Sequence, residues 1–228
     1  MIKFLRFLRD SRPITLGYVF FSLSWCVIGI TLLVTRILES THILNAFIAT
    51  MLFFTTQSNI LVVIILLLFL FNFSSKRWFI HLSFICLVNI SITSLVFNIL
   101  LGPNMDSLNL IQYVLHVIVP ILYLIFYYVF IHTEIPLKRF YIGIIYPLIY
   151  LISIYTWIEP IFGDKIEDSL ENFNVSRYVY MFLDPSNFSL GLLGSIGFNL
   201  FILGGLIALL SLLLNFLKIK LTQILKTK

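Results

Sequence analysis

Charged side chains are scarce in this sequence, and none lies inside its long hydrophobic runs. Only 11% of the 228 residues are Asp, Glu, Lys or Arg, whereas 60% are hydrophobic, against about 45 to 50% in soluble domains. This composition excludes a soluble domain and predicts an integral membrane protein. The lack of charge inside the runs also disfavours ion-coupled carriers and proton pumps, because those proteins carry intramembrane charges.

Cysteine is also nearly absent, which excludes a disulfide framework. Cys26 and Cys86 lie far apart, each inside a hydrophobic run, and show no metal-ligand spacing. We interpret both as buried thiols and predict no metal and no cofactor. The net charge of +5 comes from the ends of the hydrophobic runs rather than from one patch, so we expect no nucleic-acid partner.

Six apolar runs of about 20 residues predict an all-α bundle with six transmembrane helices in a single domain, 1–228. The predicted spans are 14–35, 46–72, 78–101, 109–131, 140–158 and 189–217. The first run is longer than the roughly 7 to 15 residues of a signal-peptide core and lacks a small-x-small cleavage site, so we expect it to be retained.

The distribution of Lys and Arg predicts the orientation of these spans. Twelve of the 15 basic residues fall on one side, which predicts that both termini are cytoplasmic and that the protein lies in the cytoplasmic membrane. These twelve are Lys3, Arg6, Arg9, Arg12, Lys76, Arg77, Lys138, Arg139, Lys218, Lys220, Lys226 and Lys228.

Five consecutive polar residues, 55–59, interrupt the second run. An unpaired hydroxyl or amide in hydrocarbon costs roughly 4 to 8 kcal/mol on an alkane scale, so neighbouring helices must supply partners. Thr55 and Asn59 are four residues apart and share a helix face, while Thr56 points about 100° away. The interruption therefore predicts the interior of the bundle and the position of a site.

The fourth run carries a second polar face at a similar depth, made of Gln112, His116 and Pro120. Pro120 has no N–H, so we expect the carbonyl of His116 to be a free acceptor. Polar residues of the other runs fall in the same outer half and predict a polar chamber open toward the outer leaflet. They are Ser94, Asn98, Tyr150 and Asn199.

Two interpretations stand for each central residue. His116 is either a neutral imidazole that hydrogen-bonds between helices or a general base, for which its ordinary pKa of about 6.5 is suited. Thr55 is either bonded to the carbonyl four residues earlier, or to another helix, or a nucleophile. The choice between Thr55 and Thr56 rests on the register of Thr55 with Asn59.

Three motifs resemble the androgen-induced-gene family and its bacterial six-span relatives. They are Phe53-Phe54-Thr55-x-x-x-Asn59, Leu115-His116-x-x-Val119-Pro120 and Tyr180-x-Phe182-Leu183-Asp184. Animal members are membrane threonine hydrolases of fatty acid esters of hydroxy fatty acids, and the resemblance implies Thr55 as nucleophile with His116 as its partner. Met181 stands where the animal pattern has Pro, and one residue fewer separates the histidine from the proline.

Two hypotheses follow for the function. The first is an intramembrane lipid-ester hydrolase, in which His116 activates Thr55 because an unassisted Thr hydroxyl is a poor nucleophile. The second is a membrane protein without catalysis, either a lipid or small-molecule binding bundle or an uncoupled carrier. Membrane lipids or lipid-like molecules are the expected partners in the first. The candidate binding, oxyanion or support residues are Asn59, Asn98, Gln112, Tyr150, Asp184 and Asn199.

Overall fold

The computed structural model describes residues 2–104, 108–169 and 177–226, and within them every regular element is a helix. Residues 181–183 and 185–187 form short 3₁₀ turns. The helices are α1 (Ile2–Asp10), α2 (Arg12–Leu38), α3 (Ile43–Leu52), α4 (Phe54–Leu70), α5 (Arg77–Leu101), α6 (Leu110–Phe130), α7 (Leu137–Asp168) and α8 (Gly191–Leu225).

Five of these helices are individually long and apolar enough to cross a membrane: α2, α5, α6, α7 and α8. Together α3 and α4 meet the same test as a bent pair, so the described residues contain five such helices, or six if the pair counts as one span. The predicted all-α architecture of an integral membrane protein is therefore confirmed. Since backbone groups have no water to bond in hydrocarbon, helices that pair their own N–H and C=O groups are the expected solution.

The second predicted span, 46–72, is wrong as a continuous helix. The chain breaks at Phe53, whose backbone is extended (φ −65°, ψ 131°), and α3 and α4 meet at 73°. Neither Gly nor Pro lies at the break. Side chains of α4 and α7, those of Gln57 and Tyr150, donate to the last carbonyls of α3 in place of the backbone N–H groups that the break removes.

Two helices are longer than predicted. The fifth span continues past residue 158 into α7 as far as Asp168, so the expected long connection is partly helical. The extension buries Ile166 against Val179 and Leu183, and Arg177 bonds Glu159 at 3.1 Å across it. The last helix continues past residue 217, which brings Lys218 into the bundle rather than into a tail.

Lys218 is 1% exposed and caps the end of α6. Its Nζ donates to the carbonyls of Tyr127 at 2.9 Å and Tyr128 at 3.2 Å, and also to that of Ile131. The last carbonyls of a helix have no intrahelical donor, so a cation at this position satisfies them and complements the helix dipole. Lys218 therefore joins α8 to the end of α6.

The short helix α1 was not predicted. Arg6 donates to the carbonyl of Ile224 at 3.3 Å, and Arg9 donates to that of His132 at 3.2 Å. These bonds tie α1 to the end of α8 and to the segment after α6. The beginning and the end of the described chain therefore lie at the same end of the bundle, as an even number of crossings requires.

The centre of the bundle is α5, which packs against α4, α6, α7 and α8. Phe79, Phe84 and Leu87 on this helix are fully buried in the larger of two hydrophobic clusters. Gly143 allows α7 to approach closely: a Cβ there would lie 2.5 Å from Ser211 Oγ and 2.6 Å from Val88 Cγ2. The second cluster surrounds the break between α3 and α4.

Gly143→Ala should lower the stability of the bundle by about 1 to 3 kcal/mol, because the added methyl group overpacks the contact of α7 with α5 and α8. The measurement is thermal unfolding of the detergent-purified protein. Gly205→Ala is the matched control, since no atom lies within 4 Å of a Cβ at that position. Equal melting of the two variants would contradict the assigned close contact.

Lys218→Ala should destabilise the protein by about 1 to 3 kcal/mol, because it leaves the terminal carbonyls of α6 without a donor. Lys220→Ala, which changes an exposed residue two positions later, should have little effect. Thermal unfolding measures both. A Lys218→Ala variant as stable as the parent would show that water satisfies these carbonyls equally well.

Candidate functional site

The break at Phe53 is closed by side chains of α7 and α4. Tyr150 donates its hydroxyl hydrogen to the carbonyl of Leu52 at 2.9 Å. Gln57 folds back to donate to the carbonyl of Met51 at 3.0 Å, and Tyr146 donates to the amide oxygen of Gln57 at 2.5 Å. The last carbonyls of α3 therefore keep partners inside the membrane although the helix ends there.

Thr55 lies in the first turn of α4 and is partly exposed. Three other threonines in spans donate their hydroxyls to the carbonyl four residues earlier: Thr15, Thr35 and Thr156, at 3.0, 3.0 and 2.8 Å. Thr55 makes no such bond in the described chain, because the break removes the preceding turn. The structure therefore lacks the back-bonded geometry at Thr55, while the threonine that joins helices and the nucleophile stay as the two interpretations.

The Tyr180 side chain covers Thr55 from the connection between α7 and α8. Its phenol faces the hydroxyl and the N–H of Thr55 and the N–H of Phe54. Its ring packs edge-on against Phe53 at 5.9 Å and stacks on Phe182 at 5.2 Å. Burial raises the pKa of Tyr180 although the hydrogen bonds with Thr55 oppose it, so the phenol is neutral at pH 7 and is not a base.

Residues 178–183, which we call the lid, are held by hydrogen bonds to two spans. Tyr155 and Ser195 both donate to the carbonyl of Leu183, at 2.8 and 3.0 Å. Asn199 donates to the carbonyl of Phe182 at 2.9 Å. The predicted support residue Asn199 therefore acts on the lid, one helical turn after Ser195.

The lid contains a strained turn directly before Tyr180. Val179 has φ +71°, and the N–H of Tyr180 bonds the carbonyl of Tyr178 at 2.8 Å, which together define a γ-turn. A positive φ is unfavourable for a β-branched residue, and this type of γ-turn is rare. The strain is held by the burial of Val179, which is 2% exposed, and it fixes where the Tyr180 ring points.

His116 is bound to α5 rather than to Thr55. Its ring stacks on Phe97, with centroids 3.8 Å apart, and Nδ1 lies 3.4 Å from the carbonyl of Thr93. No hydrogen bond joins His116 to Thr55 in the described chain. This is the geometry of the interhelical imidazole, the first of the two interpretations given above.

The Pro120 prediction is confirmed by the carbonyl of His116. That oxygen accepts from Ser94 Oγ at 2.8 Å and from Asn98 Nδ2 at 3.1 Å. Asn98 also bonds the carbonyl of Ser94 at 2.8 Å. The predicted support residue Asn98 thus joins α5 to α6 through the acceptor that Pro120 leaves free.

Asn59 links the two candidate catalytic positions. Its Nδ2 donates to the carbonyl of Thr55 at 2.9 Å and to that of Leu115, the neighbour of His116, at 3.2 Å. Asn59 is 6% exposed. One amide therefore fixes the first turn of α4 against α6, and it places Thr55 and His116 on adjacent helices at the same depth.

Gln112 and Asp184 serve as caps. Gln112 forms a capping box with Asn109 at the start of α6, with bonds of 2.8 and 3.0 Å. Asp184 accepts from the N–H of Ser186 at 2.9 Å and from its hydroxyl at 2.8 Å, and so caps the turn Pro185–Asn187. The predicted site residues thus form groups at the break, at His116 and at the lid, with Gln112 apart.

Thr56 faces a different environment from Thr55. It is 3% exposed and lines an apolar groove of about 640 Å³ between α2, α3 and α4. Leu33 and Ile37 of α2 and Phe47 of α3 form its walls, and Thr56 is the only polar residue among the lining residues. The volume falls within the range of ligand pockets, about 300 to 1,000 Å³.

Comparison with protein-family models, curated proteins and solved structures finds no match. Among the described residues, no group of three or more His, Cys, Asp or Glu could hold a metal ion.

Sequence reasoning missed Tyr146, Ser195 and Tyr180, which shape the site. Tyr146 and Tyr150 are four apart on α7, and Ser195 and Asn199 are four apart on α8, so each pair shares a helix face. The spacing of four residues from the predicted Tyr150 and Asn199 was therefore the signal that could have identified Tyr146 and Ser195. Tyr180 belongs to the third motif, but its contact with Thr55 depends on a turn at Val179 that no local pattern indicates.

Tyr150→Phe should destabilise the protein by about 1 to 3 kcal/mol, because the buried carbonyl of Leu52 loses its donor. Tyr141→Phe, which changes an exposed tyrosine at the other end of α7, is the matched control. Thermal unfolding of both variants measures the difference. If Tyr150→Phe melts with the parent, the break does not depend on this bond.

Proposed function

We propose that this protein binds an acyl lipid at the break between α3 and α4 and hydrolyses its ester, with Thr55 as nucleophile. The observation that carries the proposal is the break itself. It places the N-terminus of a helix and a threonine hydroxyl that is not back-bonded next to Thr56, which lines an apolar groove on another face of the same turn. Membrane lipids are the substrates that such a site can reach.

The first turn of α4 supports stabilisation of an oxyanion. In this turn, the N–H of Gln57 is the first that donates to a backbone carbonyl of a preceding residue, that of Phe53, at 3.1 Å. The N–H groups of Phe54 and Thr55 precede it and point at the Tyr180 phenol. A substrate carbonyl that displaced this phenol would meet two N–H donors and the positive end of the helix dipole.

In this scheme the hydroxyl of Thr55 attacks the ester carbonyl and the leaving alcohol departs with the proton. The acyl chain lies in the groove that Thr56 lines. His116 is the candidate base, since Asn59 holds its helix against the first turn of α4. Proton transfer requires Nε2 of the imidazole to reach the Thr55 hydroxyl directly or through one water, and it is compatible with the contact of Nδ1 with the carbonyl of Thr93.

The second candidate is a lipid-binding protein without turnover. The observation that favours it is the engagement of His116, whose ring and Nδ1 both contact α5. In that case the groove and the helix N-terminus still bind an acyl lipid, and Thr55 only contacts its polar part.

For the orientation, we propose that the end of the bundle that carries α1 and the end of α8 is cytoplasmic. Eleven of the twelve basic residues counted above support it, all but the buried Lys218, because Lys and Arg are enriched in cytoplasmic loops. The break then opens toward the outer half of the cytoplasmic membrane.

Reaction with a fluorophosphonate probe tests the nucleophile. The parent and Thr56→Ala should be labelled, whereas Thr55→Ala and His116→Ala should lose about 100-fold or more of the labelling rate, because general-base assistance contributes about 10²- to 10⁴-fold. Thr156→Ala is the matched control, since that hydroxyl bonds the carbonyl of Ile152.

All variants are first compared by thermal unfolding, so that loss of labelling is not loss of fold. Labelling that persists in Thr55→Ala would exclude it as the nucleophile. A parent that neither reacts nor hydrolyses a lipid ester, yet binds a fluorescent acyl lipid, would establish the second candidate.

A further inference from the structure

A buried layer of polar side chains between α4 and α5 carries polar atoms that the scheme above does not use. Its members are Ser58, Asn59, Asn89 and Thr93, which are at most 6% exposed. Within the described chain no protein group bonds Ser58 Oγ, Asn59 Oδ1, Thr93 Oγ1 or either polar atom of the Asn89 amide. Such atoms cost free energy in an apolar medium unless they find a partner.

Helix geometry brings these residues together. At about 100° per residue, Ser58 lies between Asn59, which bonds α6, and Gln57, which bonds α7, so it faces α5. The turn that joins the two helices lies between Leu70 and Arg77. Ser58 lies 12 residues before Leu70, the last residue of α4, and Asn89 lies 12 residues after Arg77, the first residue of α5. Since the chain reverses direction between the two helices, Ser58 and Asn89 lie at the same depth.

The second pair is placed by α6. Asn59 donates to the carbonyl of Leu115, and the His116 ring contacts the carbonyl of Thr93, so α6 lies against both Asn59 and Thr93. Asn89 is one turn from Thr93 on α5 and shares its face. The unpartnered atoms thus lie where α4 and α5 face each other, alongside the first two turns of α4.

The chemistry of these atoms indicates their ligand. Asn59 Oδ1 is only an acceptor because its Nδ2 is already engaged, whereas Asn89 offers two N–H donors and an acceptor, and the hydroxyls do both. A metal cation would leave the Asn89 N–H groups unsatisfied. Water donates and accepts, and buried waters make about three hydrogen bonds to such groups.

We propose that this layer binds ordered water and supplies the water for the second half of the hydrolysis. The inference rests on the proposed function. After Thr55 is acylated, a water oxygen attacks the acyl carbonyl and the bond to Thr55 Oγ breaks. One proton of the water returns to Thr55 Oγ, and the product is the free fatty acid. No other reactant is needed, and Asn59 connects the layer to Thr55.

The first test is a crystal structure of the full chain in a lipidic phase, at a resolution that shows waters. Density should lie within hydrogen-bond distance of about three of the unpartnered atoms. If these side chains instead bond one another and no water density lies between them, the water site is overturned, whether or not the protein hydrolyses an ester.

The second test separates acylation from hydrolysis with a chromogenic acyl ester. Asn89→Leu should retain the burst of the first turnover but lower the steady-state rate about tenfold or more, because the water loses its fixed position. Thr93→Val is a second variant in case Asn89→Leu fails to fold, since it removes only the hydroxyl and keeps the carbonyl that holds His116. Ser91→Ala, a buried hydroxyl two residues from Asn89, is the matched control.

The outcomes separate the two proposals. An unchanged steady state in both variants, with hydrolysis intact in the parent, overturns the role of the layer and leaves the hydrolase. If the parent shows water density in the layer but hydrolyses no ester, the proposed function and the hydrolytic role of the layer are overturned, while the water site stands.

Discussion

The structure depends on the need to pair every backbone group inside hydrocarbon. A continuous helix meets this need by itself, and α2, α5, α6, α7 and α8 are of that kind. The break at Phe53 does not, since it ends α3 and starts α4 within a span. Tyr150 and Gln57 provide donors for the carbonyls of Leu52 and Met51, and the phenol of Tyr180 lies beside the first N–H groups of α4. This requirement explains why α7 and the lid pack against the break.

The polar residues of the bundle divide by what their atoms bond. Lys218, Asn98 and Tyr150 use their donors on carbonyls that a helix end, a proline or the break leaves free. These side chains act as joints between helices. Thr55 differs, because its hydroxyl faces a side chain on a strained turn rather than a carbonyl of its own helix. A group that is held in this way can exchange its partner for a ligand at little cost to the fold.

The lid combines strain with firm anchoring. Its carbonyls at Phe182 and Leu183 are bound by α7 and α8, whereas the turn at Val179 carries an unfavourable backbone conformation. Strain that surrounding contacts maintain is common at functional sites. Displacement of the Tyr180 ring would open the N-terminus of α4 and relax this turn, without loss of the bonds that hold the rest of the lid.

The amino-acid sequence by itself determined the class of the protein, the helices and most span positions, because apolar runs without charge have one stable arrangement in a membrane. It also determined the free carbonyl at His116, since that is a local consequence of Pro120. The break, the burial of Lys218 and the contact of Tyr180 with Thr55 were decided by tertiary structure. Each depends on which distant side chain supplies a hydrogen-bond partner, and residues 87 to 125 positions apart in sequence have no local pattern that pairs them.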